Sequence, residues 1–248
     1  MRMKDDHMKN SQLKAAYNIQ VGTENQFILG YSIHQKTTDT SFLIPHLNKM
    51  KEKLNGKMPE NIIADAGYGS EENYSFLEKE NLGQYVKFNY FHMEQKKKFK
   101  ENIYRVENLR YDSKNDVYQC PKGRKMQYKE TKKYITDNGY ETSRRIYQCE
   151  NCNDCELRKN CHKSKNNRKI KVSPKLNKYK DRVRKNLLSE EGEKLRKKRP
   201  IEVESVFGQI KYNMKFSRFS LRGIKNVELE FGLISIAHNL KKIHKLTG

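Results

Sequence analysis

Residues 91–200 divide this chain. They hold 33 Lys and Arg against 15 Asp and Glu, a local balance of +18, whereas residues 1–90 balance at 11 against 11 and residues 201–248 carry 8 against 4. A stretch so charged and so poor in aliphatic side chains cannot bury enough apolar surface to form the centre of a domain. The flanking segments, with apolar runs at regular spacing, must supply the core. The expected organisation is a first part of an α/β core over 1–90, a basic, Cys-rich β insert over 91–195, and helices over 196–248 that complete the core. At 248 residues, 35% hydrophobic and 10% aromatic, the chain has material for one large domain or two modest ones.

Along the first segment, AAYNIQVGT (15–23) and QFILGYSIHQ (26–35) read as a β-hairpin. SFLIPHLNKMKEKL places Phe42, Leu43, Leu47, Met50 and Leu54 at helical spacing, with Asp39 and Thr40 as candidate caps. NIIADAGYGS is a short strand that stops at Asp65 in a turn carrying Gly67 and Gly69. SEENYSFLEKEN is a helix opened by a capping pattern in which Ser70 precedes Asn73, and GQYVKFNY is a further strand. This order predicts one mixed sheet with helices on its faces. In the insert, YDSKNDVYQC and ETSRRIYQC both run a strand-type stretch into Y-Q-C, with Asn138-Gly139 between them, and predict a small hairpin region. Residues 174–199 read as a basic helix. Near the end of the chain, Val227, Phe231, Ile234, Leu240 and Ile243 are expected to form one buried helical face.

The positive charge favours polyphosphate partners, of which nucleic acid is the most common in cells. A membrane surface competes only weakly, because the basic segment shows no amphipathic helix with an aromatic-rich face. Without an apolar run of about 18 residues or a signal-like start, the chain is expected in the cytoplasm, associated with the nucleoid. Tyr104, Tyr111, Tyr118, Tyr128, Tyr134, Tyr140 and Tyr147 either stack on bases or pack a thin β core; the shortage of aliphatics argues for packing.

Cys149, Cys152, Cys155 and Cys161 form C-x2-C-x2-C-x5-C, and Cys120 is the fifth cysteine. Such spacing in a cytosolic chain favours metal over disulfides. Four thiolates suit tetrahedral Zn²⁺; Cys120 is the alternate ligand and His162 a weaker substitute. An iron–sulfur cluster is the lesser alternative, because the C-x3-C-P continuation is absent, and reduced structural thiols are the remaining one.

PIEVESVFGQIKYN, residues 200–213, sets Val203, Val206, Phe207, Ile210 and Met214 on an apolar face. It aligns Glu204, Gly208 and Lys211 on a second stripe. Pro200 suits a first helical turn. A helix carboxylate near a strand-end carboxylate such as Asp65 offers oxygen ligands to Mg²⁺ or Mn²⁺, and Lys211 would then hold a phosphate as a point charge. The bland alternatives are a turn-capping Asp65 and a solvated surface pair. Arg218 and Arg222 are either phosphate contacts or surface arginines beside core Phe216 and Phe219.

IIADAGYGSEENY, RPIEVESVFGQIKYNMKFSRFSLRG and the cysteine block between them resemble the DDE (Asp-Asp-Glu) transposases of bacterial insertion sequences, over essentially the whole chain. The resemblance implies a ribonuclease H-like core, Asp65 and Glu204 as the second and third catalytic carboxylates, Arg199 and Lys211 as basic partners on DNA, and divalent-metal-dependent strand cleavage and transfer. It also implies insertion-sequence ends and target DNA as partners, and leaves room for a homodimer.

One part of the pattern is missing. The first aspartate of such enzymes lies on the initial strand, upstream of the segment like AAYNIQVGT, while Asp5 and Asp6 sit in KDDHMKN with no apolar strand before them and read as a polar tail. The expectation is an N-terminally truncated copy, inactive by itself, unless an upstream polypeptide supplies the strand in trans. The alternative function is a zinc-containing, non-catalytic DNA-binding protein that competes with the full-length enzyme.

Overall fold

The structure is a computed structural model that describes residues 16–247; Asp5 and Asp6 lie outside the described residues. The chain forms two compact units. One combines the described residues up to Phe88 with those from Val183 onward, and the other is Asn89–Arg182.

The first unit begins with β1 (Asn18–Glu24) and β2 (Phe27–His34), an antiparallel pair. Asn25 and Gln26 between them both take positive φ, 49° and 63°, the two-residue turn whose twist matches that of the strands. Helix α1 (Leu43–Lys53) buries Leu43, His46, Leu47 and Met50. Neither Asp39 nor Thr40 caps it. The cap position is Phe42, three residues past Asp39, so the Asp39 carboxylate is out of reach of the first turn's amides. It accepts instead from Asn18 Nδ2 at 2.8 Å and Gln20 Nε2 at 3.3 Å, and Thr40 Oγ1 donates to the Gly67 carbonyl at 2.9 Å.

Strand β3 (Asn61–Ala64) runs parallel to β4 (Gly83–Val86), with α2 (Glu71–Lys79) as the crossover between them. Ser70 caps α2, accepting from Asn73 N at 3.1 Å as its spacing predicts. The four strands do not form the single mixed sheet expected: β1 pairs with β2, β3 pairs with β4, and no described strand joins the two pairs. Local pattern specifies strands, but which edges meet is a long-range matter.

The second unit contains α3 (Lys97–Lys100), β5 (Tyr111–Asp112), β6 (Val117–Gln119), β7 (Lys125–Ile135), β8 (Glu141–Cys149), α4 (Arg158–Cys161) and β9 (Lys169–Val172). Its strands make one five-stranded antiparallel sheet in sequence order, larger than the hairpin predicted. The two Y-Q-C strands do not pair with each other but flank β7, where Met126 opposes Tyr118 on one side and Cys149 on the other. Buried Met126, Tyr147, Cys149, Cys152, Ile170 and Val172 form its core. The tyrosines there pack on one another: Tyr118 meets Tyr111 at 4.6 Å and Tyr147 at 4.9 Å, and the Tyr111 and Tyr147 hydroxyls both donate to Asp116.

Helix α5 (Pro174–Leu188) leads back to the first unit, and α6 (Glu190–Arg199) follows after Ser189, which caps it through Gly192 N at 3.1 Å. A side chain at Gly192 would strike the Asn186 carbonyl at 1.9 Å, so only glycine lets the two helices join this closely. The helical path then continues without a break through a π-helical turn at Pro200–Glu204, α7 (Ser205–Gly208) and a second π-helical turn at Gln209–Asn213. Pro200 therefore lies inside a long helix rather than in a first turn; the wide turn accommodates a ring that lacks an N–H. Helix α8 (Ile224–Thr247) buries Val227, Phe231, Ser235 and His238, with Ile234 partly buried beside them, while Leu240 and Ile243 are exposed. At about 100° per residue, positions 240 and 243 fall on the opposite face from 227 and 231, so the predicted single face was two.

Ile28, Ile33, Val206, Ile210, Val227 and Phe231 form the core that joins β2, the α7 region and α8. Beneath β2, His46 is 7% exposed, and its Nδ1 lies 3.0 Å from Ser32 Oγ. Burial first, then the neighbouring His34 and Lys49, lower its pKa from 6.5 to about 4. A histidine kept neutral in the fold but free to protonate when unfolded contributes stability above pH 6.5 that fades as pH falls toward 4. Between pH 7 and 4.5 this should cost about 2–3 kcal/mol. Denaturant titrations across that range should show a much shallower pH slope in His46→Gln; an unchanged slope would refute the assignment.

Candidate active site and cysteine cavity

Asp65 follows β3 directly, in extended conformation at φ −74°, and opens a single 3₁₀ turn over Ala66–Tyr68. Gly69 closes this loop against the end of β4: a Cβ there would lie 2.5 Å from the Lys87 carbonyl and 2.8 Å from Phe88 Cα. The approach brings Asp65 beside Lys87, whose Nζ is 3.6 Å from Asp65 Oδ1 and whose side chain is only 16% exposed. Sequence reasoning missed Lys87. The signal was the parallel register, since Ala64 opposes Val86 and the next pair is Asp65 and Lys87.

Glu204 reaches the same place from the helix. Arg199, one turn earlier and 13% exposed, donates Nη1 to Glu204 Oε1 at 3.2 Å and Nη2 to Asp65 Oδ2, so a single guanidinium spans both carboxylates. Val206 and Ile210, buried under Phe231, fix the helix, and Glu202 anchors it further by accepting from Gln26 N at 2.7 Å. Tyr68 borders the site, its hydroxyl donating to Gln20 Oε1. Burial, with Asp39 and Asp65 nearby, holds that phenol well above its ordinary pKa, so it stays protonated.

The predicted stripe is only partly realised. Lys211 lies 5.5 Å over the Phe207 ring, and no interaction joins it to Glu204, because π-helical winding turns it off the line that 3.6-residue spacing draws. Nothing lies within 4 Å of a Cβ built at Gly208, so its surface is open. Arg218 and Arg222 are exposed on the segment before α8, where Phe216 and Phe219 pack edge to face at 5.1 Å.

In the second unit, Cys120, Cys149, Cys152, Cys155, Cys161 and His162 line one cavity of about 20 Å³, space for a single atom-sized guest. Burial, reinforced by Cys120 and Cys152, pushes the Cys149 thiol up to about 12. Arg168 donates its backbone N–H to Cys152 Sγ at 3.3 Å and its Nη1 to Cys161 Sγ at 3.2 Å. Both ring nitrogens of His162 are buried without a hydrogen-bond partner among the described residues. No group of three or more His, Cys, Asp or Glu among the described residues stands in ligand geometry.

These features define a class: a mixed α/β protein with two carboxylates gathered at the end of a parallel strand pair and a basic, thiol-bearing sheet inserted between its halves. The family described as "Transposase DDE domain" matches residues 119–244, about half of the chain, and the chain belongs to that family. The matched segment contains the cysteines, Arg199, Glu204 and Lys211; Asp65 lies outside it. No curated protein and no solved structure matches. Membership implies DNA as the partner, and domains of this kind generally use a divalent metal. Among the described residues no helix is long and apolar enough to cross a membrane.

Proposed function

We propose that the first unit is part of a ribonuclease H-like catalytic core in which Asp65 and Glu204 hold Mg²⁺ or Mn²⁺ for DNA strand cleavage and transfer at insertion-sequence ends. The observation that carries this reading is Arg199, whose guanidinium draws the two carboxylates, 139 positions apart, onto one cationic group. Oxygen donors gathered this way fit a hard divalent cation, which when bound would activate the attacking oxygen and stabilise the leaving one. Loading requires Arg199 to swing off the carboxylates, which frees it, with the largely buried Lys87, to hold a DNA phosphate. Lys211, Arg218 and Arg222 extend that basic surface along the strand, and the attraction should be steeply salt-dependent.

Two separate two-stranded sheets within one unit are marginal elements. A strand inserted between β1 and β3 would join them into one five-stranded sheet of ribonuclease H-like order and bring the first catalytic aspartate. That strand would come from outside the described residues, in cis or from an upstream polypeptide.

For the second unit, the donor chemistry fits a structural Zn²⁺ once the thiols close on the cavity. Cys149, Cys152 and Cys155 form the constant part of the ligand set. The proximity of Cys149 to Cys120, and the Arg168 bond to Cys161, favour Cys120 over Cys161 as the fourth ligand.

The test is Mn²⁺-dependent plasmid nicking by the chain, alone and co-expressed with the upstream polypeptide. Nicking in either sample, reduced on the order of 10³-fold by Asp65→Asn or Glu204→Gln, supports the site. Nicking that survives both substitutions sinks it. DNA binding without cleavage in any sample would favour the zinc-containing competitor instead.

A further inference from the structure

Besides its thiols, the cysteine cavity of the second unit is lined by Arg124, Arg158 and Arg168. Arg168 is 7% exposed, and its guanidinium donates Nη1 to Cys161 Sγ at 3.2 Å and Nη2 to the Tyr104 carbonyl at 2.6 Å. Half-buried Arg158 donates to the carbonyls of Cys152 at 3.1 Å and Lys165 at 2.6 Å, and half-buried Arg124 donates to that of Asn151 at 2.7 Å. Among the described residues none of the three forms an ion pair with a carboxylate, and no carboxylate lines the cavity. The nearby acids are used elsewhere: Glu156 pairs with Lys122 at 3.1 Å, and Glu150 accepts from Gln127 Nε2 at 3.2 Å.

Three guanidinium ions around uncharged thiols would be costly. Carbonyl dipoles disperse a positive charge without cancelling it, and arginine does not give up its proton, so a buried guanidinium calls for a counter-anion. Among the lining residues the remaining source of negative charge is sulfur, and thiols that bind a metal ion do so as thiolates. Zn²⁺ held by four thiolates carries two net negative charges. Each thiolate exchanged for a neutral imidazole removes one of them. The arginines therefore match the all-thiolate set best, and a cavity of about 20 Å³ admits one ion rather than a cluster.

The hydrogen bonds agree with this division. The Arg168 backbone N–H reaches Cys152 Sγ at 3.3 Å, a bond that a thiolate can accept while it ligates a metal, whereas the Arg168 side chain holds Cys161. Arg124 and Arg158 bind the carbonyls of Asn151 and Cys152, within the C-x2-C-x2-C loop itself. The side chains that bring the positive charge thus also fix the loop that carries the ligands.

We propose that Arg124, Arg158 and Arg168 form a guanidinium shell that neutralises a dianionic zinc tetrathiolate, so that four cysteines fill the site and His162 stays unligated. The inference rests on the zinc reading of the cavity. Arg168, the buried member, acts as a positioning residue: it touches the thiols and not the ion.

Zinc per chain is measured on the purified full-length protein, and zinc affinity by competition with a chromophoric chelator. Arg168→Gln keeps a donor for the Tyr104 carbonyl but removes the charge, and should weaken zinc binding on the order of 10–100-fold. Arg168→Lys, which restores the charge, should recover most of that loss. Equal losses in the two variants, or no loss in either, would overturn the shell and leave the zinc site standing. A wild-type chain without zinc would overturn the zinc reading and the shell with it. Should Arg168→Gln not fold, Arg124→Gln with Arg158→Gln should lower the affinity in the same direction, and an unchanged affinity there would overturn the shell. With cobalt in place of zinc, His162→Ala should leave the thiolate-to-cobalt absorption unaltered; a shifted or lost absorption would overturn the all-cysteine set.

Discussion

Replacing Cys149 and Cys152 together with serine is expected to unfold the five-stranded sheet of the second unit. The sheet's own core is thin: Met126, Tyr147, Ile170 and Val172 are its principal buried non-cysteine side chains, and the two thiols sit among them. When metal binding supplies folding free energy, as in small zinc modules, loss of the ligands removes about 10 kcal/mol or more, well beyond the reserve of a sheet this size. Amide exchange followed by mass spectrometry would show β7 and β8 losing their protection while α2 and α8 keep theirs. A strong chelator should reproduce the effect in the unaltered chain, and zinc analysis should lose its signal in parallel. Full protection in the double variant, with no zinc in the wild type, would leave the cavity as ordinary thiol packing.

Phe231→Ala should cost about 3–5 kcal/mol, the range for truncating a buried aromatic. Its ring is 1% exposed and meets Tyr31 edge to face at 5.1 Å and Phe219 at 6.5 Å, in the cluster that also buries Val206 and Ile210. Because those two residues position the helix carrying Glu204, the loss would reach the carboxylate site without touching it. Chemical denaturation measures the cost. Intrinsic tyrosine fluorescence is available as the probe, because the chain contains 15 tyrosines and no tryptophan. A loss under about 1 kcal/mol would mean that α8 does not hold the core.

The site shows how two weak signals combine. A strand-end aspartate is usually a turn residue, and a helix glutamate is usually solvated; each local pattern supports the ordinary role as well as the catalytic one. What brings them together is Arg199, which spans both carboxylates and could be singled out from sequence only through the family resemblance. Lys87 carried no pattern of its own, and its place follows from the β3–β4 register and the close approach at Gly69.

By itself the sequence determined what depends on neighbours along the chain. The hairpin turn at Asn25 and Gln26, the Ser70 cap, the strand that ends at Asp65 and the helical character of α8 all follow from short-range sterics and hydrogen bonding, which are complete within a few residues. It also placed the cysteines at spacings that suit one cavity. Tertiary structure alone decided how edges and faces are used: that β1–β2 and β3–β4 stay separate, that the Y-Q-C strands flank β7, that π turns carry Lys211 away from Glu204, and that α8 shows Leu240 and Ile243 to solvent. The physical reason is that side-chain spacing fixes which residues share a face, whereas the partner of that face is set by contacts among elements far apart in the chain.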